Sequence, residues 1–383
     1  MIQISIIVPL FRGKCYVMPM IEQVQKAANN IDEDVELLFV NDDPNEKISI
    51  NEIRDNLVIR TKETGENRGI HGTRVYGYQE SEGQFVVFLD QDDKIAPNYL
   101  YSQRAAIADA DADAVVCQGK INNDLIYKSF ELMKKNVSKE KVMSERNYII
   151  SPGQVLIKRE EIPELWLKRI IKNNGADDWF LWLCMYNKDK KIALNYDQIF
   201  YHVLHDSNTS LNVIKMYASV VEVVSEVIES KEFPQIDIYN IKNAQEKMRV
   251  DLENICSRQQ KVERLYNRWL QLHFENISIG KFVRDRGNVS IAIYGAGEIG
   301  IYIFRELQKE QIDVDYFIDR NKKGTIMGKN IYFPNDSLPH VDLGIVSLIQ
   351  NESDIIKDLK REVCQEVYSI NQIIENLLEN NLG

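Results

Sequence analysis

The 383-residue sequence has no apolar run approaching the roughly 20 residues needed to span a bilayer; stretches such as FVVFL fall far short. Any membrane contact is therefore expected to be peripheral, at the inner face. A basic, then apolar leader with a small-residue cleavage site is also lacking, because ISIIVPLF opens directly as a strand. The cysteines are few and scattered: Cys15, Cys117, Cys184, Cys256 and Cys364 form no CxxC pair and have no histidine at zinc-finger spacing. They read as thiols in a reducing, cytoplasmic compartment. Positive charge is short as well. With 47 Lys and Arg against 58 Asp and Glu, the net charge of -11 excludes nucleic acid as the main partner. There is no low-complexity segment and no repeat.

What is present falls into three patterns. From Ile2 to about Ser210, short Val- and Ile-rich runs alternate with helix-compatible stretches, predicting an α/β layer structure. The runs SIIVPL, VELLFV and QFVVFL are apolar on consecutive positions, as expected of parallel strands covered on both faces. Residues 211–287 carry apolar positions at helical spacing, among them Ile255, Val262, Leu265, Trp269 and Leu272. They predict a helical connector with a structural or dimerising role, and Pro234 separates two of its helices. From 288 to 383, a strand, a glycine-rich turn, a helix and a second strand predict a small Rossmann-like domain.

Two acidic clusters follow apolar strands in the first domain: FVNDDP after Val40, and FLDQDD after Leu89. Ligands of open parallel sheets bind outside the carboxyl ends of the strands, so these positions bring Asp42, Asp90 and Asp92 toward one cleft. Concentrated carboxylates suit a hard divalent cation, Mn²⁺ or Mg²⁺, bridged to a diphosphate. The alternative, open above all for Asp43 and Asp93, is that Asp at strand ends makes turns and helix caps.

In these runs the sequence resembles the family 2 glycosyltransferases. SIIVPLF resembles that family's first strand and FVNDDP its second. ENRGIHGTRVYGYQESEGQFVVFLDQDD follows its long signature in register, with Asn67, Gly69, Arg74, Gly77 and Gly83 leading into the Asp-x-Asp motif. The resemblance covers roughly residues 3 to 210. Asn41, Asp43, Pro44 and Val75 depart from the pattern, which bears on base and sugar preference more than on the reaction.

The resemblance implies a GT-A-type nucleotide-sugar-binding domain over residues 1–210. It places Pro9, Asp42, Arg74, Asp90 and Asp92 on the donor, with Asp42 against the uracil or ribose, Asp90 against the ribose and metal waters, and Asp92 ligating the metal. A helix-face salt bridge is the competing reading of Arg74. GADDWFLWL resembles the acceptor-side acidic pair, which assigns the general base to Asp178 and sets Asp177 and Trp179 on the acceptor side. Asp177 and Asp178 also suit the start of a helix, and Trp179 and Trp182 suit either core or a sugar platform. YHVLHDSNTS resembles the segment that closes the site; His205 fits the metal-ligand register better than His202.

In the last domain Gly295, Gly297 and Gly300 make GxGxxG between strand and helix, and Asp319 ends the next strand 24 residues beyond Gly295. That context suits a pyrophosphate and ribose of a nucleotide or NAD-type ligand. The region resembles the small Rossmann-like domains that accompany acyltransferase or methyltransferase modules in sugar-processing proteins. No Tyr-x-x-x-Lys pair follows, which argues against a dehydrogenase or epimerase. Scaffold or oligomer contact, ligand binding without chemistry, and catalysis all stay open.

Together these readings predict inverting, metal-dependent transfer from a nucleotide-diphosphate sugar, UDP-linked, onto a glycan or lipid-linked glycan acceptor in bacterial surface polysaccharide synthesis. A homo-oligomer through the connector or the last domain is a further expectation. A nucleotidyltransferase is disfavoured, since VPLFRGKC holds one glycine and no phosphate loop. The other alternative is a non-catalytic dinucleotide- or nucleotide-sugar-binding assembly protein.

Overall fold

The computed structural model describes residues 2–204, 212–349 and 352–382. The chain forms two units, Met1–Leu252 and Glu253–Gly383.

The first unit is built on one mixed sheet. Ile4–Leu10 pairs in parallel with Val35–Asn41 on one side and Phe85–Phe88 on the other. Leu57–Glu63 extends the parallel series, and Asn51–Arg54 closes that edge antiparallel. Val155–Lys158 runs antiparallel between Phe85–Phe88 and Ala114–Ile121, and Ile192–His202 lies parallel to Ala114–Ile121. The strands ending at Leu10, Asn41, Phe88, Ile121 and His202 therefore all point their carboxyl ends to one edge. Every residue of Ile4–Leu10 and Val35–Asn41 is buried, as the consecutive apolar runs predict. This is the α/β layer architecture expected from the sequence, on a sheet that is mixed rather than all parallel.

Helices Gly69–Glu80 and Asp177–Asn187 cover one face of the sheet, and Lys14–Ala28 and Tyr99–Asp109 the other. Two signature glycines have steric reasons. A Cβ on Gly77 would stand 2.4 Å from Ile7 Cγ2, and one on Gly83 would stand 2.4 Å from the backbone nitrogen of Ser5. The helix and the strand entry meet the central strand too closely for any side chain.

The segment 211–287, expected as a separate connector, is instead shared between the two cores. Val220, Val223, Val224 and Val227 of helix Val213–Ser230 pack in the first unit, and Leu265, Trp269 and Leu272 pack in the second. The boundary falls inside helix Gln235–Phe274, whose buried apolar residues are Ile241 and Ala244 toward one end and Leu265, Trp269 and Leu272 toward the other.

In the second unit Ile291–Tyr294 lies mid-sheet. Tyr316–Ile318 and then Lys329–Tyr332 lie to one side, Leu343–Val346 and Glu366–Ser369 to the other, all parallel; Gly324–Ile326 adds an antiparallel edge. The order is Rossmann-like. Among the described residues, no helix is long and apolar enough to cross a membrane.

Candidate active site

The carboxyl edge of the first sheet gathers Asp90, Asp92, Asp93, Ser151, His202 and, from the start of helix Asp177–Asn187, Asp177 and Asp178. Arg74 joins two of these elements. Its guanidinium donates through one Nη to Asp90 Oδ1 at 2.5 Å and through the other to Asp177 Oδ2 at 2.6 Å. Its side chain is 5% exposed and Asp177's is 3%, so a desolvated cation is held between two carboxylates. Burial opposes the charge, but Asp177 and Asp90 outweigh it and the guanidinium pKa stays above its ordinary value. Arg74 Nε is buried without a partner among the described residues. The salt-bridge reading of Arg74 is thus the one realised. Each terminal nitrogen thus holds one carboxylate within the chain.

Asp178 is 9% exposed. Its Oδ2 accepts from Asn147 Nδ2 at 2.9 Å and its Oδ1 from the backbone N–H of Trp179 at 2.7 Å. Burial first, and the like charge of Asp177 second, push its carboxyl up to about 7, with Arg74 opposing. A carboxyl poised near neutrality, fixed by two donors at a helix start, is suited to proton transfer.

Asp177 and Trp179, expected on the acceptor side, are both buried. Asp177 is spent on Arg74. Trp179 is 1% exposed and its indole N–H donates to Val142 O at 2.9 Å. Trp182 is wholly buried too. Both indoles are core, a correction that follows from a helix apolar on nearly every side.

Asp90 and Asp92 are half-buried, and Asp90 Oδ2 also accepts from Ser151 Oγ at 3.5 Å. Ser151 Oγ donates more closely to Asp93 Oδ2, at 2.8 Å. Asp93 Oδ1 meets His202 Nδ1 at 2.8 Å and accepts from the N–H of Val203. Burial pushes the Asp93 carboxyl up to about 6. For His202, burial acts downward but the hydrogen bond to Asp93 prevails and raises it. Among the described residues, His202 is the histidine seen at the acidic cluster. His205 lies outside the described residues.

Sequence reasoning missed Ser151, Asn147 and the pairing of His202 with Asp93. The SPGQ turn was the available signal for Ser151, which caps the short helix Pro152–Gln154.

Asp42 is 4% exposed, and its carboxylate is consumed in the fold. Oδ1 accepts from Thr64 Oγ1 at 3.0 Å and the N–H of Arg68 at 2.9 Å; Oδ2 accepts from the N–H of Gly69 at 3.0 Å. It holds the start of helix Gly69–Glu80. Asp43 forms a local turn with Asn45. Pro9 is buried within the central strand, opposite Val40.

The donor set for a metal is half legible here. Asp90 and Asp92 supply hard oxygens side by side, but among the described residues no three acidic, His or Cys side chains converge as a ready-made cage. That fits Mg²⁺ or Mn²⁺ held by one or two carboxylates, with substrate oxygens and water completing the shell.

Residues 5–165 match the family model Glycosyl transferase family 2. That match lies within the first unit. Among curated proteins, an uncharacterized glycosyltransferase of Haemophilus influenzae is 31% identical over 105 residues, 26% of this chain and 40% of that protein. The minor teichoic acid biosynthesis protein GgaB of Bacillus subtilis is 30% identical over 98 residues, 24% of this chain and 10% of GgaB. The matched stretches thus span less than half the length of either relative. Among solved structures, S. aureus TarS 1-349 in complex with UDP-GlcNAc superposes with a TM-score of 0.48 at 15% identity, covering 64% of this chain and 72% of that one. The mannosyltransferase PcManGT of Pyrobaculum calidifontis, in complex with GDP-Man and Mn²⁺, gives 0.45 at 14% identity, covering 67% and 75%.

In the second unit, the glycine-rich turn has the geometry its motif predicts, without a waiting ligand group. Gly295 has φ +105°, and a Cβ on Gly300 would stand 1.9 Å from Gly295 O, whereas Gly297 faces open space. Asp319, expected to accept from ribose hydroxyls, accepts instead from the N–H groups of Ala296 at 2.8 Å, Asn321 at 2.8 Å and Lys322 at 3.1 Å. Its carboxylate serves to pin the turn, as does Lys322 Nζ, which donates to Ala296 O at 2.7 Å.

Proposed function

We propose that the protein transfers a sugar from a UDP-linked donor to a hydroxyl of a glycan or lipid-linked glycan acceptor, with inversion, in surface polysaccharide synthesis. The observation that carries this reading is the placement of Asp178. It is a buried carboxyl of raised pKa, oriented by Asn147 and Trp179, in the same cleft as the half-buried pair Asp90 and Asp92. The match of residues 5–165 and the likeness to GgaB support the product class.

In this reading Asp178 takes the proton of the acceptor hydroxyl. The oxygen attacks the anomeric carbon on the face opposite the nucleotide, the bond from that carbon to the β-phosphate oxygen breaks, and the nucleoside diphosphate leaves with the electron pair. Asp92, with Asp90 beside it, would hold Mn²⁺ or Mg²⁺, which when bound supplies Lewis-acid neutralisation of the departing diphosphate. Asp42 shapes the nucleoside end by fixing residues 64–69. Arg74 and Asp177 keep Asp90 and the start of the base-bearing helix in one frame. The protein works from the cytoplasmic side, meeting any lipid-linked acceptor peripherally. To the second unit we assign a scaffold role, supported by the three backbone N–H groups with which Asp319 ties its own turn to the glycine-rich turn.

The test is a donor panel. Purified protein with Mn²⁺ is titrated with UDP-, GDP- and dTDP-sugars, following binding and slow hydrolysis to the nucleoside diphosphate. One donor is expected to bind in a metal-dependent way and to be lost in Asp92→Ala. If no donor binds the first unit and a nucleotide binds the glycine-rich turn instead, this assignment is wrong.

A further inference from the structure

We propose that residues 253–267 of helix Gln235–Phe274 form a parallel two-stranded coiled coil with a second copy of this chain. Within the second unit, Ile255, Val262 and Trp269 recur at seven-residue intervals, and Gln259 and Tyr266 recur between them. In heptad terms these are d and a positions, the seam a partner helix covers. Trp269 is 4% exposed and already buried in its own unit, and Tyr266 is half-buried against that core. Further toward the amino end the seam lies open. Ile255 is 40% exposed, Val262 is half-exposed, and Gln259 is exposed.

Charge decides the occupant. Arg258 precedes the a-position Gln259, and Glu263 follows the d-position Val262. In a parallel pair, a g residue meets the e residue five positions on in the other strand, so Arg258 of each copy faces Glu263 of the other, twice over. Both side chains are exposed, and neither has an ion-pair partner among the described residues. An arrangement satisfied twice by its own two-fold copy needs no other partner. The polar Gln259 at an a position would also fix the register. A bare helical stretch of this length is marginal in water by itself, and pairing removes that weakness.

Sedimentation of the full chain tests this. The expected mass is twice the 44.5 kDa of one chain. The double variant Ile255→Asp with Val262→Asp should sediment as a monomer with unchanged circular dichroism, since both side chains project from the surface. Arg258→Glu should raise the dimer dissociation constant about tenfold, as two attractive pairs become repulsive, and adding Glu263→Arg should restore it. Gln259→Cys should cross-link to a covalent dimer under mild oxidant, where the parent protein does not. A monomeric parent protein at tens of micromolar would overturn the proposal. So would a dimer indifferent to the Asp pair and to the charge swap, which would place the interface elsewhere.

Discussion

Both units of this protein carry acidic residues at the carboxyl edge of a sheet, and they use them in opposite ways. In the second unit Asp319 accepts from three backbone N–H groups, two in its own turn and that of Ala296 in the glycine-rich turn, so the charge is answered by the scaffold. In the first, Asp177 and Asp178 are crowded together at one helix start and share a single buried cation, Arg74. The same topology thus holds a charge that the fold has settled and one that it has left under tension. Only the second kind is poised for chemistry.

The strongest test of this contrast is catalytic. Asp178→Asn is expected to lower kcat by about 10² to 10⁴-fold with donor binding retained, while Asp319→Asn leaves turnover unchanged. Equal losses in the two variants would erase the distinction. Turnover of the parent protein should rise with pH through about 7 as Asp178 deprotonates. Stability should move the other way. The folded carboxyl lies above its ordinary 3.8, so the native state holds a proton the unfolded chain has lost. The contribution of Asp178 to stability therefore falls as pH rises from about 4 to about 7, and urea midpoints of Asp178→Asn should lack that slope.

A second comparison concerns cations. Arg74→Met strands two carboxylates, one of them deeply buried, and should cost about 3–5 kcal/mol in urea unfolding. Arg268→Met in the second unit removes an ion pair with Glu375 that is 32% and 48% exposed, and should cost less than about 1 kcal/mol. The smallest expected difference is between glycines. Gly77→Ala drives a methyl into Ile7 and Val40 and should destabilise by about 1–3 kcal/mol. Gly297→Ala meets nothing within 4 Å and should stay within about 0.5 kcal/mol.

What the sequence reveals of this molecule follows from how local each signal is. Consecutive apolar runs identify buried parallel strands because a strand covered on both faces leaves no polar side, and SIIVPL and VELLFV are such strands. The spacing from Gly69 to Asp92 identifies the domain because close approaches at Gly77 and Gly83 are tied to chain geometry. Side-chain partners are not local. Asp42 reads from its position as a ligand group, yet the donors that consume it lie more than twenty residues away. Arg74 finds Asp177 across 103 residues. Trp179 sits beside an exposed-looking acidic pair but is carried inward by the helix it starts. The pairing of His202 with Asp93 depends on a strand return that no motif records.

The Arg74 bridge has a consequence for descent. Asp90, Arg74 and Asp177 form one electrostatic unit drawn from three stretches of chain, so drift at any of them is harmful until the others change. Substitutions at these positions should travel together among relatives. A lineage that replaces Arg74 with a neutral residue should also neutralise Asp177, and its descendants would then have to retune Asp178 by some other neighbour.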